Sequence, residues 1–175
     1  MDQYVEAALN KVEIARRDLE SLNRLRDGHE DERIEIQRYF EGVITAGSSA
    51  GDQLAQAFAE RLGLNVRNNS PQRLLAAAGE APGNHEVEAC FGEFRRWAST
   101  PIVRDAHKRR RLAVHHHYVK TPNKLLGTWL LEAADFEGSQ SPYRGRLDVH
   151  SYCEVYVRAL DALRVAAQCL ARKAG

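Results

Sequence analysis

The stretch IQRYFEGVITAGSSAGDQLAQAFAERL, residues 36–62, carries Ile36, Phe40, Val43, Gly47, Ala50, Leu54, Ala57, Phe58 and Leu62 at helical spacing. Such spacing over this length writes one apolar face on a long helix, which Gly63 should stop. Its centre, Ala46-Gly47-Ser48-Ser49-Ala50-Gly51, weakens helix propensity but lets a neighbour come close, so a tight helix crossing is expected there. Upstream, Val5, Ala8, Leu9, Val12, Ala15, Leu19, Leu22 and Leu25 repeat the pattern on a first helix ending near Gly28.

Downstream, a polar connection punctuated by Pro71 and Pro82 leads to a helix from about Glu86 to Ala98, with Val87, Cys90, Phe91, Phe94 and Trp97 turned inward. Thr100-Pro101 supplies an N-cap followed by proline at the first helical position, so another helix begins there. From residue 118 to about 147 the helical period is lost in a stretch rich in Pro, Gly and Ser, with one β-like run, Thr128-Trp129-Leu130-Leu131. A segment of this length and composition suggests a functional cover or a mobile loop. Asp148 should cap a last helix with the stripe Val149, Tyr152, Tyr156, Leu160, Leu163, Ala167 and Leu170. The expected fold is all-α: one domain over residues 1–175, an antiparallel bundle of four to five main helices with a long loop before the last.

Composition bounds the function. The chain has 175 residues, 43% of them hydrophobic, and a formal net charge of +1. That is enough for one domain with a real core and excludes a general polycation. Positive charge is nevertheless gathered locally: Arg104, Lys108, Arg109, Arg110, Arg111 and Lys120 face a single nearby acid, Asp105. No apolar run approaches the ~18 residues of a membrane span, and Met1-Asp2-Gln3-Tyr4-Val5-Glu6 has neither the basic start nor the apolar centre of a signal peptide. A cytoplasmic protein without membrane association is expected. Cys90, Cys153 and Cys169 are odd in number and lack short paired spacing, which points to reduced, buried thiols rather than to a disulfide framework or a zinc site.

The chemistry concentrates in Arg109-Arg110-Arg111-Leu112-Ala113-Val114-His115-His116-His117. Arginine is a permanently charged, planar phosphate clamp, and histidine exchanges protons near neutral pH. Together they suit phosphodiester chemistry. RNA cleavage needs a group to take the ribose 2′-OH proton, a group to protonate the leaving 5′-oxygen, and cations to stabilise the pentacoordinate phosphate. Arg104, Lys108, Arg111 and His115 would form a basic stripe on one helix face. Val103, Ala106, Arg110, Ala113, Val114 and His117 would share the other, so Arg110 must be paired, for instance with Glu41, Asp52 or Glu154, or lie at an interface. Adjacent histidines on a helix diverge by about 100°, so His115, His116 and His117, with His107 and His150, do not make a metal site. No cofactor loop is present either.

A helical bundle with Arg-x4-His before a long loop and a final helix resembles the HEPN superfamily, the higher eukaryotes and prokaryotes nucleotide-binding domains. The match lies on Arg110-Arg111-Leu112-Ala113-Val114-His115, with the overlapping Arg111-x4-His116. Pro101-Ile102-Val103-Arg104-Asp105-Ala106-His107, His116-His117-Tyr118 and the segment from Arg38-Tyr39-Phe40 to Asp52-Gln53-Leu54 are also similar. The resemblance implies a metal-independent endoribonuclease of a defence or toxin–antitoxin type, a homodimer whose two motif helices share one cleft, with an antitoxin or regulatory protein as a further partner. It assigns Arg110, Arg111, His115 and His116 to catalysis, and Arg104, Lys108 and Arg109 are read as phosphate-binding. Arg111 stands where the family most often has Asn. The alternative is therefore a non-catalytic HEPN-like module that binds RNA, a nucleotide or a protein.

Overall fold

The computed structural model describes residues 2–64, 70–78, 85–116, 122–132 and 146–173; at 85, 86, 112–116, 123, 132 and 146 it describes the backbone alone. Helix α1, Gln3–Arg24, starts where the Asp2 carboxylate accepts the Tyr4 N–H at 2.9 Å, and it buries Val5, Ala8, Val12, Ala15 and Leu22. A single 3₁₀ turn, Glu30–Glu32, leads into α2, Arg33–Arg61. Leu64 N–H returns to the Ala59 carbonyl at 2.8 Å and Gly63 adopts φ 65°. That is the left-handed helix terminator expected at Gly63. Helices α1 and α2 form a hairpin with the most extensive contact among the described elements.

Four further helices complete the bundle: α3, Pro71–Ala78, α4, His85–Ser99, α5, Pro101–His116, and α6, Val149–Arg172. The architecture is all-α, as the periodicity predicts. Helix α3 lies in the connection read as irregular. There Ser70 Oγ accepts the Arg73 N–H at 3.3 Å and Pro71 takes the first position, a start signal hidden by the shortness of the helix. Helix α6 packs on α1, α2, α4 and α5, and every member of its expected stripe is buried. The Asp148 carboxylate accepts the backbone N–H of His150 and of Ser151 at 2.9 and 3.1 Å, making the predicted cap.

The small-residue centre of α2 does what its composition requires. A Cβ at Gly47 would sit 2.7 Å from the Tyr156 ring, and one at Gly51 would overlap the Trp97 ring. Glycine therefore lets α6 and α4 press an aromatic side chain against the α2 backbone. Beside this crossing, Ser48 Oγ and Tyr156 OH are 3.3 Å apart in the core, and burial holds the Tyr156 hydroxyl well above its ordinary pKa.

The β-like run is real and has company. Strands β1, Asn123–Leu125, β2, Thr128–Glu132, and β3, Arg146–Asp148, form an antiparallel sheet in the order β1-β2-β3. Trp129, Leu131 and Leu147 bury its inner face, and Lys124 Nζ donates to the Asp27 and Gly28 carbonyls at 3.3 and 2.5 Å, tying the hairpin to the end of α1. The rest of the expected cover, residues 118–121 and 133–145, lies outside the described residues.

The cysteine expectation needs correction. Cys90 of α4 and Cys169 of α6 are joined in a disulfide, with Cα atoms 5.5 Å apart and 79 residues between them in sequence, and only Cys153 remains a buried free thiol. Sequence spacing was uninformative because side-by-side packing of α4 and α6, not chain proximity, brings the pair together. Among the described residues no helix is long and apolar enough to cross a membrane. Disulfides are rare in a reducing cytoplasm, so the redox state of Cys90 and Cys169 in cells is the test of the expected location.

Candidate phosphate-binding site

Helix α5 carries the site, and its rotation decides which side chain does what. Ile102, Val103, Asp105, Ala106 and Arg109 are buried, Arg110 is half-buried, and Arg104, Lys108 and Arg111 are exposed. At about 100° per residue, Arg109 lies about 20° from Ile102, Arg110 about 80°, His107 about 140°, and Arg111 and Arg104 about 180–200° away. The buried face is thus turned from the expected one by roughly one residue.

Arg109 is the residue this moves. Its Nε donates to the Asp105 carboxylate at 2.6 Å, and its guanidinium lies 5.4 Å from the Tyr152 ring centroid. The Tyr152 hydroxyl donates to the same Asp105 oxygen at 2.7 Å. Burial, with the Asp105 charge, raises the Tyr152 pKa well above its ordinary value and keeps the phenol protonated as a donor. Arg109 was expected to bind phosphate on the surface; it is instead an internal cation neutralising a buried carboxylate at the junction of α5 and α6.

On the opposite side, α5, α2 and the first turn of α3 enclose a pocket of about 600 Å³. Arg104, His107, Lys108, Arg110 and Arg111 line it from α5, Asp52 from α2, and Ser70, Gln72 and Arg73 from the start of α3. Five of these nine residues are permanently cationic and one is acidic. That acid is already engaged, because Arg110 makes an ion pair with Asp52, one of the partners foreseen. Both side chains of the pair keep about a third of their surface exposed, so Arg110 is oriented but not withdrawn from the pocket. Among the described residues, Arg104, Lys108 and Arg111 have no carboxylate partner.

His107 is the histidine of this pocket. It stands one turn from Arg104 and from Arg111, its ring meets Trp97 edge-on at 6.0 Å between centroids, and its buried Nε2 has no hydrogen-bond partner among the described residues. Burial depresses its pKa to about 4, assisted by the Arg110 charge and opposed by Asp52. The ring is therefore neutral at physiological pH. The sequence held the signal, since Arg104, His107, Lys108 and Arg111 stand at helical steps i, i+3, i+4 and i+7.

His115 and His116 form the last turn of α5, where the backbone alone is described, and His117 lies outside the described residues. The structure thus brings Arg104, Lys108, Arg110 and Arg111 together, sends Arg109 inward, and adds His107, Ser70, Gln72 and Arg73. His150, one of the histidines considered for a metal, is buried with Nε2 3.0 Å from the Leu22 carbonyl. No grouping of metal-ligand side chains occurs among the described residues. Comparison of this chain with protein-family models, with curated proteins and with solved structures gives no match.

Proposed function

We propose that this chain is a HEPN-like helical module that binds RNA through phosphate contacts in the α5 pocket. The observation that carries this is the convergence on one pocket of Arg104, Lys108 and Arg111, cations without carboxylate partners, beside an Arg110 pre-oriented by Asp52. Holding like charges together around one pocket is unfavourable, and an anion relieves it. Arginine forks suit phosphoryl oxygens in particular. The test is anisotropy of a labelled single-stranded RNA across a salt series. Affinity should fall steeply with salt, and Arg104→Glu with Lys108→Glu should weaken it further without unfolding the protein. Affinity unaffected by that double reversal would remove the pocket from the binding site.

A second reading, the metal-independent ribonuclease, is favoured by one specific feature. Arg110 is steered into the pocket by Asp52 and has a neutral imidazole, His107, one turn before it on the same helix. In that reading the phosphate is held by Arg110 and Arg111, His115 or His116 transfers the proton, and two chains pair along α5 in a homodimer. An antitoxin or regulator would then be a further partner. Incubation with total RNA in EDTA, against an Arg110→Ala/His115→Ala control, tests it. Cleavage in the parent and none in the control is the expected outcome, and intact RNA in both would leave the binding module alone.

A further inference from the structure

We infer that the α5 pocket is built for a terminal phosphate, a phosphomonoester at the end of an RNA or on a free nucleotide, rather than for a run of internal phosphodiesters. The inference rests on the phosphate-binding reading above and narrows it.

The extent of the basic row is the first argument. Arg104 to Arg111 is seven residue steps, about 10 Å of helix, and the next three residues, Leu112, Ala113 and Val114, are apolar. A track for a polymer backbone needs phosphate contacts continuing along the chain. Here the cations ring one pocket, and the start of α3 faces them across it.

Charge is the second. With Asp52 matched by Arg110, the pocket keeps an excess of three cations without carboxylate partners among the described residues: Arg104, Lys108 and Arg111. A phosphodiester brings one negative charge, whereas a phosphomonoester carries about −1.5 to −2 at neutral pH and presents three acceptor oxygens. The dianion matches the excess better and accepts several forks at once.

The third is the unpartnered nitrogen. A buried polar atom without a partner is unfavourable, and His107 Nε2 is such an atom on a pocket-lining residue. A neutral imidazole can donate to a phosphoryl oxygen or accept from a P–OH or ribose hydroxyl. Either bond satisfies the nitrogen, and both are available at a phosphorylated terminus.

The test uses one short single-stranded RNA in three forms, with a 5′-monophosphate, with a 3′-monophosphate and with hydroxyls at both ends, binding to the full chain by anisotropy. One phosphate-ended form should bind about tenfold more tightly than the hydroxyl form, the size of one added charge-assisted contact set. A nucleoside monophosphate should displace it, and failure of that competitor alone would assign the site to RNA ends. Arg104→Gln/Arg111→Gln and His107→Phe should each reduce the phosphate-ended RNA to the level of the hydroxyl form. A phenyl ring at 107 alters a buried contact with Trp97, so the exposed arginine pair carries the test if that variant does not fold. Equal binding of all three forms by the parent, with strong salt dependence, would overturn the terminal-phosphate site and leave RNA binding standing. Absence of binding to any form would remove both.

Discussion

Arg109 and Arg110 are neighbours in sequence and opposites in the fold. Arg109 is 8% exposed and closes a buried triad with Asp105 and Tyr152 between α5 and α6; Arg110 is about a third exposed and closes an ion pair with Asp52 at the edge of a basic pocket. Both are arginines matched to aspartates. The difference is what each pair leaves over: the inner triad neutralises its charges within the core, whereas the outer pair stands among cations without carboxylate partners. A rotation of about 100° along one helix thus separates an arginine that holds the bundle together from one that can meet a ligand.

The largest effect that would sharpen this contrast is at the inner face. Arg109→Ala leaves the Asp105 carboxylate buried with only part of its partners, and the expected loss is about 3–5 kcal/mol in denaturant unfolding. A loss below about 1 kcal/mol would show that the inner triad is not structural and would break the comparison.

Next in size is the acid response of the outer face. His107 has a folded pKa of about 4 against an ordinary value of 6.5. Between those values the unfolded chain binds the extra proton and the folded chain does not, so stability is full above about pH 6.5 and falls as the pH drops toward 4. The whole window is worth about 3 kcal/mol. His150, whose pKa burial also lowers, adds in the same direction. Unfolding free energies across this window should decline less steeply in His107→Phe than in the parent, and equal slopes would show that His107 is not desolvated.

Smaller effects follow outward. Arg110→Ala leaves Asp52 half-exposed and still near the cations, so the expected cost is about 1 kcal/mol of stability, much less than at Arg109. Arg104→Gln and Arg111→Gln should each change stability by no more than about 0.5 kcal/mol while lowering RNA affinity. A thermal melt beside the binding titration separates the two properties.

The bundle was legible where burial follows period. The stripes of α1, α2 and α6, the Asp148 cap, the Gly63 stop and the close crossing at Gly47 and Gly51 all follow from local rules, and the structure has them. Other features were not legible because they arise between elements. The disulfide needed α4 and α6 side by side, and two of the three strands are three residues long, too short for an alternating pattern to register. At the candidate site the basic row of α5 was legible as a row, and Asp52 was among the acids that could hold Arg110. The rotation of α5 was not, because apolar spacing alone placed Arg110 on the inner face. The Tyr152 hydroxyl, 47 residues from Asp105, is what makes Arg109 the better buried cation. The place of His107 in the row Arg104, His107, Lys108 and Arg111 is legible in the sequence; the lack of a partner at its Nε2 is not, because that depends on how the ring packs against Trp97 of α4.

The central claim is that the outward cations of α5, and not the inward one, hold phosphate, and the salt dependence of RNA affinity tests it most directly. The logarithm of affinity should fall linearly with the logarithm of salt concentration, and Arg104→Gln and Arg111→Gln should each reduce the magnitude of that slope by about 1. Slopes identical to the parent's in both variants, with affinity retained, would contradict the account and place the RNA elsewhere on the molecule.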